Sequence, residues 1–312
     1  MKTFLMVSLL ILLLIAFFGQ IQRPNPLQGP LESREPFNKF KMAASHVPLA
    51  AEITTISKQD EITLNPMIHE IINHVSTENL FNTVAHLQAY GDRYSLEKQW
   101  LVAHWIEKRL KEYNVKAFIQ TYEYEGKSYP NVIATIEGTE KSDQIILPIA
   151  HFDSISDDPK KKSAPGADDN ASGVAVLLEI ARILNDFPVK RTVILCFFSN
   201  EEVGRSGSKY AAQLFKSDGI NIKAVLNLDV LGYNLPKSLF QFGALSTRSS
   251  LKNRMKSLYH AAKNSFAGLL KGRDAVVIGG RPDCGSLVER VSIIFRQYAS
   301  LKVREIINDK CQ

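Results

Sequence analysis

Four groups of polar residues in this chain have the types and spacing needed to hold a metal ion and activate water: His151-Phe-Asp153, Gly166-Ala-Asp168-Asp169-Asn170-Ala-Ser-Gly173, Asn200-Glu201-Glu202 and Asp229. Histidine and carboxylates without cysteine thiolates suit zinc in a catalytic site, because they leave room for water on the ion. Such an ion lowers the pKa of its water towards about 7, and a neighbouring carboxylate can take the proton and pass it to a leaving amine. Asp153, two residues after His151, has the spacing to hydrogen-bond the imidazole and fix its tautomer. The adjacent Glu201 and Glu202 can point in different directions, so one can hold metal while the other holds the water. Taken singly, each group has a plainer meaning: a hydrogen-bonded structural histidine, a helix cap, an exposed acidic turn.

The elements around these groups favour the chemical meaning. Gln144-Ile-Ile-Leu-Pro-Ile-Ala150 is a short apolar run that predicts a buried parallel strand delivering His151 at its carboxyl end. Lys190 to Phe198 predicts a second strand ending at Glu201-Glu202, and Ile222 to Asp229 a third ending in Asp229. The Asp168-Asp169-Asn170 run opens a helix from Val174 to Leu184, which sets its carboxylates against a helix N-terminus. Open α/β sheets bind their ligands at the carboxyl ends of strands. The expected fold is therefore α/β, a mostly parallel mixed sheet with helices on both faces.

In these motifs and their order the chain resembles the zinc-dependent aminopeptidases with a co-catalytic pair of zinc ions, a group that includes some carboxypeptidases. The resemblance runs from about residue 65 to the end and rests on His151-Phe-Asp153, Pro165-Gly-Ala-Asp168-Asp169-Asn-Ala-Ser-Gly173, Asn200-Glu201-Glu202-Val-Gly204 and Leu228-Asp229 before Gly232-Tyr233. It implies that Asp168 bridges two Zn2+ ions and that the Asp168-Asp169 peptide is cis. It further implies that His151 and Asp229 complete one site, that Glu202 ligates the other ion, and that Glu201 is the general base on the water. Asp153 would support His151, and the resemblance implies a peptide substrate cleaved at its amino end. Two other readings remain: a catalytically impaired, membrane-tethered member of the fold, and a single-zinc enzyme like glutaminyl cyclase.

The family pattern departs near the end. It expects one more histidine, in a Ser-Asp-His motif, and no Ser-Asp-His occurs in the chain. The preferred expectation is that the chain stops just before that motif, lacking a C-terminal strand and helix; the alternative is that Cys284 in Arg281-Pro-Asp283-Cys284 replaces the histidine.

The rest of the sequence frames this site. Its 312 residues, 45% of them apolar, suffice for one large α/β domain with additional N-terminal sequence, and a net charge of +6 is modest at this length. The lysines at 160 to 162 belong to a solvated loop, so no nucleic-acid partner is expected. Cys196, Cys284 and Cys311 are too few and too scattered for a disulfide framework. Residues 1–22, with Lys2 before an apolar run from Phe4 to Phe18, have the form of a signal peptide or N-terminal membrane anchor. An exported protein, touching membrane only through that segment, follows. Residues 23–62 are expected to be a linker or pro-region, and 63–312 the metallopeptidase domain. Within it, helices are expected from Pro66, near Leu80 to Gln88, and over Leu96 to Tyr113, followed by strands at Ala117–Tyr124 and Asn131–Ile136 around a turn at Glu125-Gly126-Lys127-Ser128. Further on, a strand at Ser238–Gly243, helices through Leu251–Ala262 and Leu287–Tyr298, and a strand at Leu301–Ile307 are expected. His69, His74, His86 and His104 fall on the N-terminal helices, away from the strand ends.

Overall fold

A computed structural model of the chain describes residues 66–156, 164–231, 275–280 and 302–307. The N-terminal segment, the linker, the lysines at 160 to 162, Cys284, Cys311, the strand at Ser238–Gly243 and the two helices expected after it lie outside the described residues. Among the described residues, no helix is long and apolar enough to cross a membrane.

Three helices come first: α1 (Pro66–Asn73), α2 (Thr77–Gln88) and α3 (Leu96–Glu112). Side chains start the second and third, since Ser76 accepts from Asn79 N at 3.1 Å and Ser95 from Lys98 N at 3.3 Å, each satisfying one otherwise free helical N–H. The hairpin β1 (Lys116–Tyr124) and β2 (Lys127–Ile136) follows. Its turn is two residues, Glu125 at φ 49° and Gly126 at φ 70°, shorter than the four-residue turn expected. Positive φ at both positions matches the twist of antiparallel strands, so pairing begins already at Lys127.

Next come β3 (Lys141–His151), α4 (Ala171–Asp186), β4 (Arg191–Phe198), α5 (Ser206–Ser217) and β5 (Ile222–Asn227). The five strands form one sheet in the order β1-β2-β4-β3-β5. β1, β2 and β4 pair antiparallel, whereas β3 runs parallel to both β4 and β5. His151 is thus the last residue of a strand with parallel neighbours on both sides, as the apolar run before it predicted.

The described residues from Pro66 to Leu231 belong to one unit; a second, described only at β6 (Ala275–Gly280) and β7 (Lys302–Ile307), shows a parallel pair. The mixed α/β sheet is as expected. Strand β6 was not foreseen, because Ala275-Val-Val-Ile-Gly-Gly280 is short and ends in two glycines.

The alternation of strand residues assigns the layers. On one face Ile145 and Leu147 of β3, Ile194, Cys196 and Phe198 of β4, and Ile133 of β2 pack with Ala211 and Phe215 of α5. Helices α3 and α4 lie against β1, β2 and β3, on the other face by that alternation. α4 is covered almost all round, from Ala171 to Leu184, which explains its nearly uninterrupted apolar sequence. The α5 helix gave a weak sequence signal: its N-cap, Arg205, sits at φ 60° and makes no side-chain cap bond. Cys196 is fully buried, and burial alone pushes its thiol pKa up, so it is an inert core residue.

Candidate metal centre

His151 is 5% exposed at the end of β3, and its Nε2 faces two carboxylates: Asp169 Oδ1 at 3.1 Å and Asp229 Oδ1 at 3.6 Å. The three offer ligand atoms within 4.8 Å of one another, and they form the one such group among the described residues. Asp169 and Asp229 keep roughly half their side-chain surface open, at 56% and 41%, while His151 closes the inner wall.

This corrects the ligand expected from the Asp pair. Asp169, not Asp168, is the carboxylate brought to His151, and the cis peptide is Asp169-Asn170, not Asp168-Asp169. The cause is Asn170. It is fully buried as the N-cap of α4, its Oδ1 accepts from Gly173 N at 2.9 Å, and its Nδ2 donates to Leu228 O at 2.8 Å. One side chain therefore ties the start of α4 to the chain leaving β5, and so places its neighbour Asp169 beside Asp229. A Cβ on Gly173 would come within 2.5 Å of both Asn170 Oδ1 and Leu228 O, so only glycine allows this approach. Asp168 instead uses its backbone carbonyl, which accepts from Ser172 Oγ at 2.7 Å.

Asp153 is fully buried, and it does more than its spacing predicted. The His151 Nδ1 lies 3.2 Å from the Asp153 backbone oxygen and 3.5 Å from its Oδ1, so the imidazole is held chiefly by the backbone. The carboxylate accepts from Glu201 N at 3.0 Å and from Glu202 N at 3.2 Å. It thereby fixes the turn after β4 against the segment after β3, joining the two halves of the site.

Charge in this cluster is unbalanced. Burial pulls the His151 pKa down, but hydrogen bonds to Asp153, Asp169 and Asp229 outweigh it and raise it to about 12. Asp169 is lowered by the same bond to His151. Glu202, half buried, is raised to about 7 by burial first and then by Asp169, with His151 pulling the other way. Both large shifts follow from an excess of carboxylate in a poorly solvated place. A divalent cation between His151, Asp169 and Asp229 would reverse both, so the donor set fits such an ion in type, number and charge.

Arg93 lies in the short segment between α2 and α3. It is fully buried, and its guanidinium donates to backbone carbonyls of Phe152 at 2.6 Å, Pro165 at 2.5 Å, Gly166 at 2.9 Å and Leu87 at 3.4 Å. It ties together from behind the segments that carry His151 and Asp169. Burial lowers its pKa to about 10 against the pull of Asp153, Asp169 and Glu202, so it stays charged at neutral pH. Arg93→Met strands several of these carbonyls; at roughly 1–3 kcal/mol for an unsatisfied buried group, stability should fall by at least about 3 kcal/mol. Urea unfolding followed by fluorescence measures this, and a loss under 1 kcal/mol would mean the carbonyls find other partners. Three of the N-terminal histidines have other neighbours: His74 packs edge-on to Phe187, His86 stacks on Trp105, and His104 lies by Trp100.

Comparison with known proteins decides the family. The description "Peptidase family M28" matches residues 131–290, just over half of the chain and all four motif groups. The chain belongs to peptidase family M28. Among relatives of this M28 chain, a probable zinc metalloprotease of Pyrenophora teres f. teres is 32% identical over 194 residues, covering 53% of this chain and 41% of the relative. A probable leucine aminopeptidase of Trichophyton verrucosum is 34% identical over 200 residues, covering 60% and 51% respectively. The chain thus spans about half the length of the curated relatives it matches. Among solved structures, the LapA aminopeptidase of Legionella pneumophila superposes with a TM-score of 0.58 at 19% identity, over 82% of this chain and 62% of that one. LapB of the same organism gives 0.55 at 22%, over 78% and 58%. At such identities these two bear on the fold of the M28 chain, which they share.

Proposed function

We propose that this protein is a zinc-dependent exopeptidase that removes residues from the amino end of peptides. The observation that carries this reading is the meeting of His151, Asp169 and Asp229 beside a Glu201-Glu202 turn held by Asp153. Its M28 membership and relatives named as zinc metalloproteases and leucine aminopeptidases support it. His151, Asp169 and Asp229 would hold one Zn2+, and Glu202 would contribute to a second. When bound, the metal supplies Lewis-acid polarisation of the scissile carbonyl and a water of lowered pKa.

The chain's own residues do the rest. Glu201 takes the proton of the attacking water and delivers it to the leaving nitrogen. Asp153 keeps Glu201 and Glu202 at fixed backbone positions and His151 in one orientation. For location and organisation, we propose export through the apolar segment at residues 1–22, a linker over 23–62 and the peptidase domain from 63.

The direct test is hydrolysis of leucine arylamide and of its N-acetylated form by the full chain, with and without chelator. Cleavage of the free-amine compound at least a hundredfold faster, lost on chelation and restored by zinc, is expected. Equal cleavage of both would remove the aminopeptidase assignment, and chelator-insensitive cleavage would remove the metal.

A further inference from the structure

Asn200 stands immediately before Glu201-Glu202, is 1% exposed, and sits at φ 55°, a left-handed conformation that asparagine tolerates better than most side chains. Both ends of its amide are held. Oδ1 accepts from Gln99 Nε2 at 2.9 Å, and Nδ2 donates to the Tyr122 hydroxyl at 3.0 Å. Gln99, fully buried on α3, also donates from Nε2 to Tyr94 O at 2.8 Å; since both partners of that nitrogen are acceptors, its orientation is fixed.

The Tyr122 hydroxyl, on β1, lies 2.9 Å from Ser199 Oγ and 3.3 Å from Ser206 Oγ, so it reaches both ends of the loop that carries the glutamates. Ser206 N closes that loop by donating to Asn200 O at 3.2 Å. Asn131 of β2 secures the same ends, accepting from Ser199 N at 3.2 Å and donating to Gly207 O at 3.1 Å.

This is a costly way to fill a core. Gln99 shares its buried helix face with Val102, Ala103 and Ile106, where an apolar side chain would pack without polar groups to satisfy. The network also leaves Gln99 Oε1 buried without a hydrogen-bond partner among the described residues; what it supplies in return is one geometry.

We propose that Gln99, Asn200 and Tyr122 are positioning residues that clamp the 199–207 loop from behind and set the backbone from which Glu201 is aimed, with Asp153 holding it from the front. The proposal rests on the reading of Glu201 as general base. A shift of about 1 Å in a reacting group can cost on the order of 10²-fold, whereas substrate affinity depends on other contacts.

The test uses Tyr122→Phe, which removes one hydroxyl and keeps the ring stacked between Tyr129 and Tyr210, and Gln99→Met. Each should lower kcat by about 10- to 100-fold with KM within threefold. Amide hydrogen exchange over Glu201–Gly204 should quicken at least tenfold while that of α4 stays unchanged. Unaltered exchange in both variants overturns the clamp, whatever the activity. Faster exchange with unchanged kcat, alongside an inactive Glu201→Gln, also overturns it as a positioning device. If Glu201→Gln is itself active, the general-base reading has failed, and exchange alone then judges the clamp. Should one variant not fold, the other carries the test.

Discussion

Glu201→Gln lowers kcat by about 10²- to 10⁴-fold, the usual worth of a positioned general base, and leaves zinc content and KM close to those of the unaltered protein. The substitution keeps the shape and hydrogen-bonding reach of the side chain but removes its ability to take a proton. Its backbone N–H still donates to Asp153, so the turn keeps its place. Glu202, next in sequence, cannot stand in as the base if it holds metal: its electrostatic surroundings include Asp169 and His151. Steady-state kinetics with zinc analysis of the same samples checks this. A variant retaining more than a third of kcat would remove Glu201 from the proton transfer.

The positions of His151, Glu201 and Glu202 could be anticipated because each ends or follows an apolar run whose period and length mark a buried strand, and strand ends in such sheets gather on one side. Asp229 was placed at a strand end and stands two residues past β5, still facing His151. The choice between Asp168 and Asp169 was a different kind of question. Two adjacent, chemically identical side chains differ only in direction, and direction depends on the buried cap at Asn170 and its bond to Leu228 O, a contact between segments 58 residues apart. An Asn three residues before Gly173 is a cap signal, and counting back from it would have favoured Asp169 as the residue pushed outwards.

Long-range pairing also hid Arg93 and Gln99. A charged residue after a helix and a glutamine at its next start resemble surface residues until the carbonyls of Phe152 and Gly166, or the amide of Asn200, are brought to them. Helix α5 and strand β6 escaped for a local reason, the absence of a capping side chain in one and a short, glycine-ended run in the other.

The second large effect bears on the metal group itself. Of the two adjacent aspartates only Asp169 reaches the imidazole, so the pair forms an internal control with the same charge change at neighbouring positions. Removing an outer-shell partner costs roughly 10- to 100-fold in metal affinity, and removing one of three ligands should cost more. Calorimetric titration of zinc into the metal-stripped chain, its Asp169→Ala form and its Asp168→Ala form measures this directly. The structure predicts that Asp169→Ala binds zinc more than a hundredfold more weakly while Asp168→Ala stays within tenfold of the unaltered chain. Loss of binding in Asp168→Ala with retention in Asp169→Ala would contradict the metal centre described.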